Sequence, residues 1–572
     1  MGLIHNITRG GQTNIHFISM LKQVMKVGLL CSLLIGSIFY GAKTYHEVPK
    51  TYWQSYMKYY SHELNPFLLF VIEDKTTLHR LPQVLKRVSL VNETLEKNLS
   101  SGLKAFLISL SIILLSWLII GARQRQKKHN RGNKFATPFK LKLLINFRRE
   151  NSDLKIANLP LVKDKETSHI LISGTTGSGK SNCFNILVPQ VRKRANRALV
   201  VDLTGQYVSR FYQQGDLILN PFDIRTINWD PWMDCELTSH YDMLAAGLIP
   251  QQKYVSDRFW DNASRALFST AMQKLDCLDD HSIHELHRIL ITADLNEFES
   301  FFKETEAASY TSKDGEKMTL SIRSNLALQI KSFKHLNDQT KGFSIRRWIQ
   351  EEEQNNWLFI TARPDQRETL KPLISCWLEI AFNAVMTLKP NQKRRLWFMI
   401  DELPALQQLP SLPLALAELR KYGGCIMAGI QGMPQISDLY GNAGSQAILD
   451  LFNTFIFFRS TDPQTTGWIS KVLGEKDETE MVENLSYGAN TIRDGVSLNQ
   501  QTHTKPIVIP TEIQSLKDLE AYIKLPGNYP ITKLKMDYKN LLQRINAFDI
   551  SPFPRNAARK AFSYSQKEVN IF

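Results

Sequence analysis

Eight residues, Gly174-Thr175-Thr176-Gly177-Ser178-Gly179-Lys180-Ser181, limit the possible folds more than anything else in the chain. The apolar run before them, His169-Ile170-Leu171-Ile172-Ser173, reads as a buried strand, and Asn182 to Arg194 after them can form a helix. Strand, G-x-x-x-x-G-K-S loop and helix together make a phosphate cradle. Glycines let backbone N–H groups curl around phosphates, Lys180 reaches the β- and γ-phosphates, and the Ser181 hydroxyl binds Mg²⁺. The helix N-terminus adds its dipole. The expected ligands are therefore ATP and Mg²⁺, with every loop residue from Gly174 to Ser181 in the nucleotide contact. A glycine-rich turn is the bland alternative, and the strand-before, helix-after context weighs against it.

Such a loop needs a metal-holding carboxylate on a second strand. Leu396-Trp397-Phe398-Met399-Ile400, followed by Asp401-Glu402, supplies one at a strand's carboxyl end. Asp401 is expected to hold Mg²⁺, directly or through water, and Glu402 to polarise the attacking water; helix capping is the other reading of Asp401. Further apolar runs fit a parallel sheet: Ala198 to Val201 ending in Asp202, Trp357 to Thr361, Cys425 to Ile430 ending in Gln431, and Thr454 to Phe458 ending in Arg459. Ligands of open α/β sheets sit beyond those carboxyl ends, which makes Asp202, Gln431 and Arg459 candidates. Gln431 is preferred as a γ-phosphate sensor because its strand follows the Asp401 strand. For each of the three a structural role stays open.

Lys180 and Asp401 stand far apart, so a second lobe is expected between them. Residues 237–353 are helical in pattern, as in RFWDNASRALFSTAMQK from Arg258 to Lys274, and read as an all-α domain. Its acids slightly outnumber its bases, so it is not the obvious DNA-binding face. His284-Glu285-Leu286-His287-Arg288 comes nearest to a zinc-protease motif but has its second histidine one position early. No L-S-G-G-Q signature is present, and the run Arg192-Lys193-Arg194 reads as a solvated helix end.

Two uncharged stretches, Val27 to Ala42 and Ala105 to Gly121, predict membrane spans at about 24–42 and 104–121. Arg123, Arg125, Lys127, Lys128, Arg131 and Lys134 follow the second without an intervening acid, and residues 1–26 carry Arg9, Lys22 and Lys26 but no acid. Positive flanks of this kind place both termini in the cytoplasm and residues 43–103 outside. The rest of residues 1–122 is then a membrane anchor, and 123–150 a basic juxtamembrane linker. Over the whole 572 residues the formal net charge is +15, which favours an acidic partner, nucleic acid or anionic lipid. A content of 43% hydrophobic and 22% charged residues excludes wholesale disorder and collagen. Six scattered cysteines, without a C-x-x-C pair, are expected to be reduced.

The ordered set LISGTTGSGKS, VVDLTGQYVSRFY, LILNPFDIRTINWDPW, FMIDELPALQQLPSLPLALAELRKYGG, AGIQGMPQISDLYG and FFRSTDPQTTGWISKVLGE, behind two spans, resembles the coupling proteins of bacterial type IV secretion and conjugation, TraD-like members in particular. That resemblance implies an α/β fold: a RecA-like P-loop nucleotide-binding domain in two parts (151–236 and 354–550) with the all-α domain inserted, two N-terminal transmembrane helices, and a tail at 551–572. It implies a homo-hexameric ring, multi-pass in the bacterial inner membrane. The ring would be an ATPase handling single- or double-stranded DNA, mainly without sequence preference, together with relaxase or relaxosome proteins and components of the type IV secretion channel. Carried over by motif, Lys180 and Ser181 bind nucleotide and Mg²⁺, Asp401 and Glu402 are the metal and water carboxylates, and Gln431 is the sensor. Arg420, in ELRKYGG, resembles the arginine that reaches a neighbouring subunit's nucleotide; a helix C-terminal cation facing the dipole is its alternative.

The chain departs from the family where Gln206 stands in place of a common acid, and its tail, Arg555 to Phe572, leans basic where some members are acidic. Rival expectations are a secretion ATPase or receptor for protein cargo only, a docking receptor without turnover, and an FtsK-like DNA translocase.

Overall fold

The computed structural model describes residues 2–63, 81–124, 128–251, 258–278, 281–312, 315–336, 342–486 and 495–550; the expected tail at 551–572 lies outside them. The chain divides into two units, residues 1–130 with 478–503, and residues 131–477 with 504–572.

The first unit contains α1 (Gly2–Glu47), α2 (Lys50–Glu63) and α3 (Leu81–Gln124). α1 and α3 are long and apolar enough to cross a membrane, over Ile18–Glu47 and Pro82–Ile120. Both helices overrun the stretches read from the uncharged runs, because helix geometry continues through the polar flanks. Small residues set their closest approach: a Cβ on Gly36 would lie 3.0 Å from the Phe106 Cβ, and one on Gly102 2.9 Å from the Tyr40 Cβ. In lipid such close backbone contact replaces the hydrophobic drive that water would supply. Polar bridges also join the helices, from the buried Asn98 Nδ2 to Glu47 Oε2 at 2.7 Å and from Lys43 Nζ to Ser101 Oγ at 2.8 Å.

The second unit begins with α4 (Pro138–Phe147) and a hairpin of β1 (Asn151–Ile156) and β2 (Leu159–Val162). Its centre is a nine-stranded sheet built from β3 (Ile170–Ser173), β4 (Arg197–Asp202), β5 (Leu217–Leu219), β6 (Leu358–Thr361), β7 (Leu396–Ile400), β8 (Gly424–Ile430), β9 (Thr454–Phe457), β10 (Glu520–Lys524) and β11 (Thr532–Lys535). Spatial order is β11-β10-β9-β3-β8-β7-β4-β6-β5. From β9 to β5 all neighbours are parallel, whereas β10 and β11 close one edge in antiparallel fashion. Short, wholly apolar strands are what a parallel sheet covered on both faces requires.

Alternation along β3 shows the two layers. Ile170 and Ile172 join the core shared with the hairpin, α4, α5 (Lys180–Lys193) and α6 (Gln206–Phe211). Leu171 joins the opposite core, to which the inserted helices contribute. These are α7 (Thr238–Leu248), α8 (Phe259–Cys277), α9 (Ile283–His287), α10 (Leu295–Phe302), α11 (Glu316–Gln329) and α12 (Ile345–Gln350). The same core takes in α13 (Arg367–Met386), α14 (Leu412–Tyr422), α15 (Met433–Asp450) and α16 (Pro463–Leu473).

The inserted helices leave and rejoin the sheet through one polar knot. Asp234, fully buried, accepts from Trp229 Nε1 (2.6 Å), Ser344 Oγ (2.6 Å) and the Arg346 amide (2.8 Å), so entry and exit segments share one carboxylate. All six cysteines are unpaired thiols.

Candidate nucleotide site

The loop after β3 is held from both flanking strands. Ser173 is in register with Ile430 on β8 and with Phe457 on β9, so the Gly174 amide reaches the Ile430 carbonyl (3.2 Å) and the Thr175 amide the Arg459 carbonyl (2.9 Å). Ser178 closes the loop on itself, its hydroxyl donating to the Thr175 carbonyl at 2.6 Å. Gly179 has φ +122°, and a Cβ there would meet Phe458 Cε1 at 2.8 Å; only glycine fits both demands. α5 begins directly after it without a side-chain cap, so its first N–H groups lack the partner a capping side chain would give.

Five side chains meet at this loop. Lys180 Nζ lies 2.9 Å from Glu402 Oε2, and Gln431 Nε2 donates to the same oxygen at 2.8 Å. The Ser181 hydroxyl donates to Asp401 Oδ2 at 3.2 Å. Glu402 Oε1 and Asp401 Oδ1 are buried and have no hydrogen-bond partner among the described residues. Burial raises the Asp401 carboxyl above its ordinary range, and the Lys180 ammonium opposes the shift.

Around them is a cavity of about 540 Å³, to which Leu203, Tyr207, Arg367, Asp518, Leu519 and Tyr538 also contribute. Lys180 thus borders a space large enough for phosphates. The Ser181 hydroxyl and the Asp401 carboxylate, whose Oδ1 is left without a partner among the described residues, suit a hard cation such as Mg²⁺, which takes oxygen ligands and keeps much of its water.

The carboxylates reach the loop across an intervening strand. β8 lies between β3 and β7, and Gly429 makes the crossing possible, since a Cβ there would fall 1.9 Å from the Asp401 carbonyl oxygen. Glu402 and Gln431 leave the ends of adjacent strands, with Ile400 opposite Ala428, which explains their short contact.

Other candidates stand elsewhere. Asp202 is completely buried and accepts the amides of Thr204 (3.1 Å), Tyr207 (2.6 Å) and Val208 (2.8 Å), so it caps α6. Arg459 gives the loop its carbonyl, but its guanidinium pairs with Asp518 at 2.8 Å. Arg420, exposed at the end of α14, is not brought to this cavity. It lines a second cleft of about 1100 Å³, whose Asn196, Arg395 and Lys421 precede β4, β7 and β8.

The reading of Arg192-Lys193-Arg194 as a solvated helix end needs correction. Arg192 pairs with Asp216 at 2.5 Å and stacks 3.7 Å from the centre of the Trp357 ring, and Arg194 pairs with Glu166 at 3.0 Å. Only Lys193 is exposed. At the near-zinc motif Glu285 pairs with Arg288 at 2.7 Å, and no metal-holding group of three or more His, Cys, Asp or Glu exists among the described residues.

Sequence reasoning missed Tyr207, Arg367 and the C-terminal wall. Arg367 donates to the Leu203 carbonyl at 2.9 Å. Tyr538 is delivered by Asn182, which follows the loop and clamps the backbone on both sides of it: Nδ2 to the Asp537 carbonyl (3.1 Å) and the Lys539 amide to Oδ1 (2.7 Å). The one available signal was Asn182 itself, a polar residue in the first turn of a helix whose later residues are largely apolar.

Residues 153–537 match the type IV secretion-system coupling protein DNA-binding domain family. The chain belongs to this family. Over 472 residues this coupling protein is 33% identical to Coupling protein TraD of Escherichia coli (strain K12), an alignment covering 79% of the chain and 66% of TraD. It therefore spans a little under two thirds of that relative's length. Plasmid coupling protein TrwB in complex with the non-hydrolysable ATP analogue ADPNP superposes with a TM-score of 0.66 at 30% identity, covering 74% of this chain and 98% of TrwB. TrwB in complex with ADP and Mg²⁺ gives 0.65 at 30%, with the same coverage. The fold is thus the RecA-like P-loop domain with an inserted all-α lobe, preceded by two long apolar helices.

Proposed function

We propose that this coupling protein is a membrane-anchored, ring-forming ATPase that passes DNA, with its attached relaxase, to a type IV secretion channel at the bacterial inner membrane. One observation carries the reading: Lys180, Ser181, Asp401, Glu402 and Gln431 share a cavity at the loop that, in TrwB of the same fold, belongs to a protein solved with ADPNP and with ADP and Mg²⁺.

ATP is the substrate, its phosphates in the cradle from Gly174 to Ser181. Arriving phosphates compete for the Lys180 ammonium and draw it from Glu402. Glu402, still held by Gln431, then has its unpartnered oxygen ready to accept a proton from the attacking water as the terminal P–O bond breaks. Ser181 and Asp401 would hold Mg²⁺, which when bound offsets charge on the phosphate oxygens. Arg420 lines a different cleft from its own chain's nucleotide cavity, which supports the reading that it acts on a neighbouring copy's nucleotide in a hexamer. The basic chain and the DNA-binding family support DNA as cargo.

ATP turnover by the full chain in proteoliposomes, with and without single- or double-stranded DNA and beside Glu402→Gln, tests the reading. DNA stimulation lost in the variant is expected. Turnover indifferent to DNA would shift the assignment to protein cargo, and no turnover in an assembled ring to a docking receptor.

A further inference from the structure

The helix α4 is apolar on two opposite sides. Leu141 and Ile145 are fully buried, packed toward β2 and β11. Phe139, Leu143 and Phe147 recur every four residues and are 69%, 52% and 86% exposed. At about 100° per residue the two stripes lie half a turn apart, so the second cannot be served by the core that covers the first.

The helix is anchored at both ends. Thr137 caps it through the Lys140 amide at 3.4 Å, and Arg148 stacks 4.6 Å from the centre of the Tyr529 ring. The exposed stripe is therefore a fixed feature of the unit, and a stripe of large apolar side chains in water calls for an occupant.

Charge and chain position identify that occupant. Residues 123–149 contain ten lysines and arginines and no acid; the nearest acids are Glu96 and Glu150. Lys140 and Lys142, both exposed, border the stripe, and neither has an ion-pair partner among the described residues. α3 ends at Gln124, and the 14 residues to Pro138 span at most about 50 Å when extended. An apolar stripe bordered by unpaired lysines, on a short tether from a membrane helix, matches what an interfacial helix needs: a hydrocarbon boundary for its aromatic side chains and phosphates for its amines.

We propose that the exposed face of α4 lies on the anionic phospholipid surface of the membrane that α1 and α3 cross, with Phe139, Leu143 and Phe147 at the acyl boundary and Lys140 and Lys142 at the headgroups. This rests on the membrane-anchor reading, which flotation of the same preparation tests separately.

The test places a photoreactive benzoylphenylalanine at Phe147 of the full chain, reconstituted into vesicles of phosphatidylethanolamine and phosphatidylglycerol. A control chain carries it at Leu328, which is 74% exposed on α11. Expected are phospholipid adducts at 147 and not at 328, with a yield that falls several-fold in vesicles of phosphatidylcholine alone and in the Lys140→Glu/Lys142→Glu variant. A chain that floats with the vesicles yet cross-links at 147 to a second copy, or to nothing, overturns the proposal. Equal yields in both vesicle types overturn the anionic surface.

Discussion

Glu402 is the residue on which the proposed chemistry turns, because two donors share one of its oxygens and leave the other free. Glu402→Gln keeps the shape and removes the basicity; turnover is expected to fall about 10²- to 10⁴-fold while binding of a fluorescent ATP analogue persists. Lys180→Ala is expected to lose both, which the same two assays separate. His169 offers a different test. Nδ1 accepts from the Ile426 amide at 3.1 Å and Nε2 faces the Leu416 carbonyl at 2.9 Å, which fixes the tautomer; burial of the ring lowers its pKa to about 4, against the opposing pull of the Leu416 carbonyl. The unfolded histidine takes up a proton near its ordinary value of about 6.5, the folded one only near pH 4. Its contribution to stability is therefore intact above pH 6.5 and shrinks as pH falls toward 4, by up to about 3 kcal/mol. Melting temperatures at pH 7.5 and 5 should differ less in His169→Gln than in the parent chain.

At the scale of elements, the site depends on how closely β7 and β8 approach. Gly429→Ala puts a methyl group 1.9 Å from the Asp401 carbonyl oxygen, so the strands must part and carry Asp401, Glu402 and Gln431 with them. A loss of about 3 kcal/mol or more in denaturant unfolding is expected, along with impaired turnover. The knot at Asp234 makes a comparable prediction for the inserted helices. Asp234→Ala strands the Ser344, Arg346 and Trp229 donors in a buried place and should cost about 3 kcal/mol by the same measurement.

These elements also show what was legible. β3, β4, β6, β7, β8 and β9 announced themselves as short apolar runs ending in a polar residue, because a strand buried on both faces leaves no room for alternation. β10 and β11 gave no such signal: Glu520, Lys524, Lys533 and Lys535 break their apolar pattern, as an antiparallel edge allows. Tyr538 was equally silent, since its place depends on a clamp from Asn182, 356 positions away in sequence.

For the whole molecule, the separation of Arg420 from its own chain's cavity is the decisive geometry. If the arginine acts between copies, Arg420→Ala and Glu402→Gln chains, each inactive alone, should regain turnover when co-assembled. In a closed ring mixed one to one, about a quarter of the interfaces would join an intact Glu402 to an intact Arg420. Steady-state ATPase assays on the mixture check this, and no recovery in a verified mixed ring would refute the trans role.

What the sequence by itself determined are the features that short-range chemistry dictates. A glycine-rich loop between strand and helix, carboxylates at a strand tip, and two long uncharged stretches each need only neighbouring residues to be recognised. Strand order belongs to the tertiary structure alone. Inserting β8 between β3 and β7 puts Gln431 beside Glu402 and makes Gly429 indispensable, while α14, which runs into the amino end of β8, leaves Arg420 at the opposite ends of the strands. Asp202 and Gln431 both stood as candidates at strand tips, Gln431 preferred only because its strand follows the Asp401 strand. Asp202 is enclosed by three amides and Gln431 opens onto the cavity, a difference that arises only when distant segments pack around each.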